Sequence, residues 1–467
     1  MLGQWQLRAA FAARLSRMYG REVPAYATLV DVSREVNEDV LRARGADAER
    51  LGTISRVTAE RHGAIRVGTP EELRQAARVF GALGMRPVGF YDLRETAASA
   101  LPIVSTAFRP VAEDELARSP FRVFTSLLTV SDPRFFDADL RARLTAFLAG
   151  RELFGPELLA LADRAEAERE LPDADAERFL ELAVRAFELS TEPIDGQWYA
   201  ALERVSAVAA DIGGVRSTHI NHLTPRVLDI DELYRRMTER GIEMIDTIQG
   251  PPRWTGPDVL LRQTSFRALA EPRALRAPDG SVSRGALRVR FGEVEARGIA
   301  LTREGRALYD RLLTLVDEQA AHHITADRTA ADRAAVARSV WTRHFPPTEH
   351  GLAAAGLGFF TYHAVPDRPA DGSRPPTGLG GLLDGGWLRA EPIVYEDFLP
   401  RSAAGIFQSN LSEAGSRNSG REGSAYDADR LSGAMCRDVL DPFTLYERQR
   451  DRSLAQIPRA LRPQGAS

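Results

Sequence analysis

The chain has 467 residues, of which 44% are hydrophobic and 27% charged, and its 61 Lys+Arg against 65 Asp+Glu give a formal net charge of -4. This is the composition of an ordinary globular protein, long enough for two lobes or for one core with large insertions. Nucleic acid is excluded as the main partner, because no basic excess is available to neutralise phosphates. A small-molecule partner fits better.

Cysteine usage limits the chemistry of any metal site. The lone Cys436 excludes an intramolecular disulfide and a thiolate cluster, so a metal must be bound by His, Asp or Glu. The same usage suits a reducing cytoplasm. No apolar run approaches the roughly 20 residues that span a bilayer, so we expect no membrane-spanning segment. Residues 1–20 predict a first helix, with a transit peptide as the alternative.

Helical and β-like patterns alternate along the chain and predict an α+β fold. The strand-helix-strand pattern "RHGAIRVG", "TPEELRQAARVFGALG" and "MRPVGFYDL" is followed by a long helical stretch, and β-rich sequence then returns in "HINHLTPRV", "IEMIDTIQG", "VLLRQTSFRAL" and "LRVRFGEVEARGIALT". Further on, "YEDFLPRSAAGIFQSN" is predicted as a loop. The predicted segments are N-terminal helices at 1–50, a first βαβ module at 51–112, a helical insertion at 113–195, a second module at 196–302, helices at 303–350, a loop-rich region closing the site at 351–455 and a tail at 456–467.

A weak internal repeat links the two β-rich parts. "RHGAIRVGTPEEL" aligns without a gap on "NHLTPRVLDIDEL", which places His62 on His222 and Arg66 on Arg226. Two copies of one unit would bring both imidazoles near a pseudo-twofold axis, where they can share one metal. The alternative is a chance match between two ordinary strand-helix units.

A third ligand is expected from "LRVRFGEVEARG". On a strand, Val289, Phe291, Glu293 and Glu295 share one face. If that face is buried, an unpaired carboxylate would cost several kcal/mol and would favour a bound cation. The alternatives are an edge strand with solvated glutamates, or an ion pair with Arg297. Two His and one carboxylate are the protein ligands of non-haem Fe(II) oxygenases, although Mn or Zn could occupy the same site.

The other histidines lack ligand-like spacing and are interpreted as structural or surface residues. His219 lies three residues before His222 and would point to the opposite face of a strand. The remaining ones are His322, His323, His344, His350 and His363.

Four motifs in order, "RHGAIR", "HINHLTPR", "FGEVEARGIALT" and "DFLPRSAAGIFQSN", resemble the 2-oxoadipate dioxygenase/decarboxylase family. That family is similar to the vicinal-oxygen-chelate fold, in which paired modules form curved sheets around a metal. The helical insertion would then interrupt the first module. A further resemblance to 4-hydroxyphenylpyruvate dioxygenases, whose glutamate ligand lies four residues before an Arg, favours Glu293 over Glu295.

The resemblance implies specific roles for residues of this chain. It implies Fe(II) bound by His62, His222 and Glu293, with Arg66 binding a substrate carboxylate beside His62. It also implies that a loop at Arg401 and Ser402 contacts the substrate and closes the pocket, although Arg401 departs from the small or apolar residue expected there. For Arg66, the alternative is a surface salt bridge.

The implied reaction converts 2-oxoadipate and O2 into 2-hydroxyglutarate and CO2, in lysine catabolism. The keto oxygen and the adjacent carboxylate would chelate the metal, and the substrate would supply its own reductant. One alternative is a non-redox isomerase or lyase of the vicinal-oxygen-chelate type, which would turn over with Mn or Zn without O2. The other is a binding or structural protein in which the repeat is only architecture. Sequence leaves the oligomeric state open.

Overall fold

The computed structural model describes residues 1–95, 101–287, 290–322, 330–366, 374–410, 421–458 and 461. Two long helices dominate the N-terminal region, and the second begins with Pro24, whose fixed φ and missing N–H suit the first position of a helix. The elements of this region are β1 Leu2–Gly3, α1 Gln4–Glu22, α2 Pro24–Arg44, a 3-10 helix Gly45–Glu49 and α3 Ile54–Ala59.

The first module begins at the strand that carries His62. Its helix starts with a capping box: Glu72 N donates to the Thr69 hydroxyl (3.1 Å), and Thr69 N donates to the Glu72 carboxylate (3.2 Å). The elements are β2 Arg61–Val67, α4 Pro70–Ala82, β3 Arg86–Asp92, β4 Ile103–Arg109, α5 Glu113–Arg118 and β5 Arg122–Leu128.

Strand β5 corrects the sequence analysis, which predicted helices almost throughout 113–195. It pairs in parallel with β2 and antiparallel with β4, so it completes the first module. Every residue of β5 is buried. A strand covered on both faces lacks the apolar-polar alternation that reveals a half-exposed strand, which is why its sequence gave no β signal.

Helices then form an insertion between the two modules, so the prediction that the insertion interrupts the first module is wrong. Its elements are α6 Ala138–Ala149, α7 Pro156–Glu168, β6 Glu170–Leu171, α8 Asp173–Arg185, β7 Ile194–Asp195, α9 Gly196–Glu203 and α10 Ala207–Gly213.

The second module repeats the order of the first. Single bridges at Met244 and Gln249 lie where the first module has its second strand, and a hairpin is inserted between the last two strands. Val289 lies outside the described residues. The elements are β8 His222–Pro225, α11 Ile230–Glu239, β9 Leu261–Phe266, β10 Glu271–Arg276, β11 Val282–Leu287 and β12 Gly292–Arg297.

The two modules join edge to edge through antiparallel pairing of β2 with β8. One sheet has the order β3-β4-β5-β2-β8, and a parallel bridge between Arg226 and Glu295 continues it to β12 and β9. In each module, therefore, the first strand lies parallel to the fourth. This pseudo-twofold arrangement, with its helical insertion, is the vicinal-oxygen-chelate-like α+β fold that the sequence predicts.

Both faces of the sheet are covered. Ile65 and Val294 pack in an apolar cluster with the N-terminal helices, whereas Ala64, Phe124 and Phe291 pack in a second cluster on the opposite face. Because side chains alternate along a strand, the second face is the one that carries His62 and His222. We call it the site face.

Most of the C-terminal part packs against the second cluster, whereas Leu431 and Met435 pack in the cluster that holds the N-terminal helices. None of the described helices is long and apolar enough to cross a membrane. The predicted loop at 395–410 is in part a helix, α16, with Pro400 at its start. Its burial against β9 through Asn410 outweighs the loop signals of its Ser and Gly residues. The elements are α12 Arg303–His322, α13 Ala330–His344, α14 Glu349–Ala354, β13 Phe360–Ala364, α15 Leu379–Asp384, β14 Leu388–Pro392, α16 Pro400–Asn410, α17 Ala428–Met435 and α18 Pro442–Gln456.

Phe80 on α4 tests how tightly the first module packs against the insertion. Its buried ring lies 5.0 Å from that of Phe108 and 6.0 Å from that of Phe187, measured between centroids. Phe80→Ala is expected to lower the free energy of unfolding by about 3–5 kcal/mol, because it leaves a cavity. Denaturant unfolding measures this, and Arg74→Ala, which changes a half-exposed side chain on the same helix, should leave the midpoint nearly unchanged. Equal midpoints for both variants would contradict this packing.

Candidate metal centre

Three side chains from three strands converge on the site face. His62, His222 and Glu293 are buried, and each offers one ligand atom within 4.8 Å of the others. The Nε2 atoms of His62 and His222 lie 3.4 and 3.5 Å from Glu293 Oε2. The register of β2 with β8 places His222 opposite Ala64 and His62 opposite Thr224, so the two rings are diagonal neighbours, 5.6 Å apart between centroids.

The chemistry of these three groups fits a divalent metal. Burial lowers the pKa of His222 to about 4, so its imidazole is neutral at pH 7 and has a lone pair for a metal. Glu293 brings a buried negative charge that a cation would compensate. Two nitrogens and one carboxylate oxygen form the 2-His-1-carboxylate ligand set, which leaves other coordination positions open.

Glu295 shares the face of Glu293 but contacts the other nitrogen of His62. Its Oε2 lies 2.8 Å from His62 Nδ1, an ion-pair distance without the alignment of a hydrogen bond. Arg297 donates to both Glu295 oxygens, at 2.7 and 3.0 Å. Burial would raise the pKa of Glu295, but Arg297 and His62 outweigh it and lower the pKa to about 2. Glu295 is therefore an ionised group behind a candidate ligand, and Glu293 is the carboxylate that faces both Nε2 atoms.

A buried ionic network extends from Glu295 away from the three candidate ligands. Arg122 donates to Glu60 at 2.6 Å and Arg226 donates to Glu60 at 2.9 Å. The network also includes Arg297, Arg56 and Glu396. Arginine carries a permanent charge and several donors, which suits the pairing of carboxylates that cannot reach water. This network holds the Glu295 carboxylate in place.

Arg66 lies on the site face two residues beyond Ala64. It donates to Asp211 of α10, which also accepts from Asn221 at 2.9 Å and lies 3.3 Å from His219 Nε2. Burial would raise the pKa of Asp211, but His219 and Arg66 hold it well below its usual range. Arg66 is thus buried and paired, not the surface residue of the alternative interpretation.

Aromatic side chains form a wall beside His62. The ring of Phe398 lies 4.9 Å from that of His62 and 5.0 Å from that of Phe124, between centroids. Phe398 is fixed by its neighbour Asp397, which accepts two hydrogen bonds from Arg109 at 2.8 and 3.2 Å. The wall makes this side of the cluster apolar.

Helix α16 starts after Phe398 and ends at Asn410, whose Nδ2 donates to Ser265 Oγ at 2.7 Å. Ser265 is the β9 partner of Glu293. The helix therefore begins close to Phe398, which contacts His62, and ends at the strand that pairs with the strand of Glu293. Ser402 is buried in its first turn. Arg401 is not brought to the cluster: its side chain is 55% exposed and donates to Asp317 at 3.0 Å. Successive residues of a helix point in different directions, so the two neighbours separate.

The other histidines lie outside the ligand set. His219 contacts Asp211, and the exposed His350 and His363 pair with Asp384 and Glu391. His344 ends α13. The side chain of His322 and all of His323 lie outside the described residues.

Several residues around the three candidate ligands were not predicted from the sequence. Glu60 stands two residues before His62, so period-two alternation could have placed it on the same face. Asp211, Phe124 and Phe398 come from segments far away in sequence, and no local pattern indicates them.

Substitution of the two glutamates should separate a ligand from its supporting residue. Glu293→Ala is expected to abolish binding of Fe(II) or Co(II), whereas Glu295→Gln should weaken it about 10–100-fold, the usual effect of removing a carboxylate behind a histidine ligand. Anaerobic metal titration of both variants measures this. Retained metal binding in Glu293→Ala, together with its loss in Glu295→Gln, would reverse the assignment.

Comparison with known proteins agrees with this geometry. The family described as 2-oxoadipate dioxygenase/decarboxylase matches residues 11–410. A relative of that name from Mycobacterium tuberculosis is 57% identical over 442 residues, 95% of this chain and 96% of the relative, and one from Pseudomonas putida is 41% identical over 461 residues, 97% of each. The crystal structure of the hydroxyglutarate synthase in complex with 2-oxoadipate from Pseudomonas putida matches with a TM-score of 0.82 and 39% identity over 99% of both chains. The resemblance stated from sequence is confirmed, and the chain belongs to the 2-oxoadipate dioxygenase/decarboxylase family of enzymes.

Proposed function

We propose that this chain is an Fe(II)-dependent dioxygenase that converts 2-oxoadipate and O2 into 2-hydroxyglutarate and CO2. The observation that carries the proposal is the buried cluster of His62, His222 and Glu293 in a chain of this family. Iron is preferred to zinc because a dioxygenase needs a metal that can exchange electrons with O2. When bound, the metal would bind the 2-oxo acid and O2 and supply that redox chemistry.

The residues around the cluster suit a small dicarboxylate. We propose that Arg66 binds one substrate carboxylate, because its guanidinium is buried on the site face and can present two parallel N–H groups. Ala64 lies between Arg66 and His62 on the same strand face, and its small side chain would leave room for the substrate chain. Asp211 would hold Arg66 in position through its existing hydrogen bond.

The remaining residues would control orientation and solvent. Ser402 is retained as a proposed substrate contact, since it is buried on the helix whose last residue, Asn410, bonds to the β9 partner of Glu293. Phe124 and Phe398 would exclude water from the reacting atoms, which protects reactive species from side reactions. Glu295 would keep His62 oriented with Nε2 toward the metal.

The place of the reaction in metabolism is also a proposal. A role in lysine degradation rests on the family resemblance alone. A reducing compartment such as the cytoplasm is proposed because the one cysteine, Cys436, is exposed and free.

The reaction is tested by anaerobic loading of the protein with Fe(II), followed by addition of 2-oxoadipate and then O2. We expect equal amounts of O2 consumed and 2-hydroxyglutarate formed, measured with an oxygen electrode and by chromatography. His222→Ala should lose both metal and product, and His350→Ala, which removes an exposed histidine, should keep both. Turnover with Mn or Zn in the absence of O2 would instead establish a non-redox isomerase or lyase.

Arg66→Met tests the carboxylate site separately. Hydrogen bonds to charged groups contribute about 1.5–3 kcal/mol, so KM for 2-oxoadipate should rise about 10–100-fold while metal affinity stays near that of the wild type. Steady-state oxygen uptake and metal titration measure the two quantities. Arg401→Met is the comparison, and its KM should stay near the wild-type value because its side chain points to solvent. A higher KM only in Arg401→Met would exchange the two roles.

A further inference from the structure

The pseudo-twofold relation between the modules assigns equivalent residues to several positions of the site face. The sequence repeat equates His62 with His222 and Arg66 with Arg226. In the first module, Arg66 on β2 lies beside Ser126 on β5, and Ala64 lies beside Phe124. In the second, Arg226 on β8 lies beside Glu295 on β12.

These registers show which residue corresponds to Glu293. Since Ser126 and Glu295 are equivalent, the residues two positions earlier on the same strands, Phe124 and Glu293, are equivalent too. The same operation exchanges Ala64 with Thr224, each of which stands opposite one of the two histidines. The two histidines are thus retained in both modules, while the carboxylate is present in only one.

We propose that Phe124 occupies the position of a fourth protein ligand, and that this replacement leaves one side of the metal open for substrate. This proposal depends on the proposed function only in requiring that the site binds a metal. Phe124 is 4% exposed and lies on the site face with Ala64. Its ring contacts Phe398 and Tyr91, with centroids 5.0 and 5.3 Å apart, so it belongs to the apolar wall beside His62.

The open side is also the side that Arg66 can reach. On the sheet, Arg66 lies two residues from Ala64 along β2, and Phe124 is the neighbour of Ala64 on β5. On the opposite side of the site face, the register places Glu293 of β12 beside Thr224 of β8, and Ser265 of β9 beside Glu293. A substrate whose carboxylate binds Arg66 therefore approaches the metal over Ala64 and Phe124. A glutamate at 124 would occupy the coordination position that the substrate needs.

The test is to restore the missing ligand. Phe124→Glu and Phe124→His each place a ligand at this position, and Phe124→Leu is the matched apolar control. Co(II) and Fe(II) titrations are made anaerobically with the full chain, with thermal unfolding followed with and without metal. Phe124→His carries a neutral ligand that can be buried without metal, which keeps the test decisive if the buried glutamate prevents folding.

We expect the Glu or His variant to bind metal at least about tenfold more tightly than the wild type and to gain more thermal stability from it. The visible spectrum of bound Co(II) should change with the added ligand, and binding of 2-oxoadipate to the metal-loaded variant should weaken at least about tenfold. Phe124→Leu should keep its metal affinity within about threefold. If the wild type binds metal and neither ligand variant binds it more tightly, this inference is overturned. If the wild type binds no metal, the proposed function is overturned instead.

Discussion

The antiparallel pairing of β2 with β8 is the contact on which the candidate site depends. It is the only direct hydrogen-bonded junction between the two modules among the named strands of the described sheet, and its register sets His62 and His222 diagonally across from each other. A shift of the register by one residue would turn one histidine to the opposite face. The two histidines could then no longer both reach Glu293. The backbone hydrogen bonds that join the two modules therefore also position the two histidines.

A second constraint is the cost of burying charge next to a metal. Glu60, Glu295 and Glu396 are all buried, and so are Arg122, Arg226 and Arg297, which pair with them. Isolated ions in such a place would cost several kcal/mol each, so the network has to be complete to be tolerated. The sequence contains no lysine, so every side-chain cation other than histidine is a guanidinium. Such a group stays charged at any physiological pH and can donate to two carboxylates at once.

The two histidines related by the repeat could be predicted from the sequence, but little of the rest of the site could. His62 and His222 could be paired because a repeated unit places equivalent residues at equivalent positions. Glu293 and Glu295 remained alternatives from their residues alone, since they share a strand face and Arg297 could have paired with either. The other neighbours that distinguish them, such as Arg122, come from distant segments. Strand β5 was missed because it is buried on both faces, and the helix after Phe398 was missed because its stability comes from packing. Periodicity reports the contrast between buried and solvent-exposed positions, and β5 lacks this contrast.

The pseudo-twofold relation also bears on how such a site can arise. A dimer of two identical modules has a true twofold axis, and any residue near that axis is present twice. Such an assembly can surround an ion with two histidines, or with two histidines and two carboxylates, but never with two histidines and a single carboxylate. An odd number of protein ligands requires that the two copies be free to diverge, which a duplicated module within one polypeptide allows. The glutamate at one position of this chain and the phenylalanine at the equivalent position are a difference that two identical subunits cannot carry.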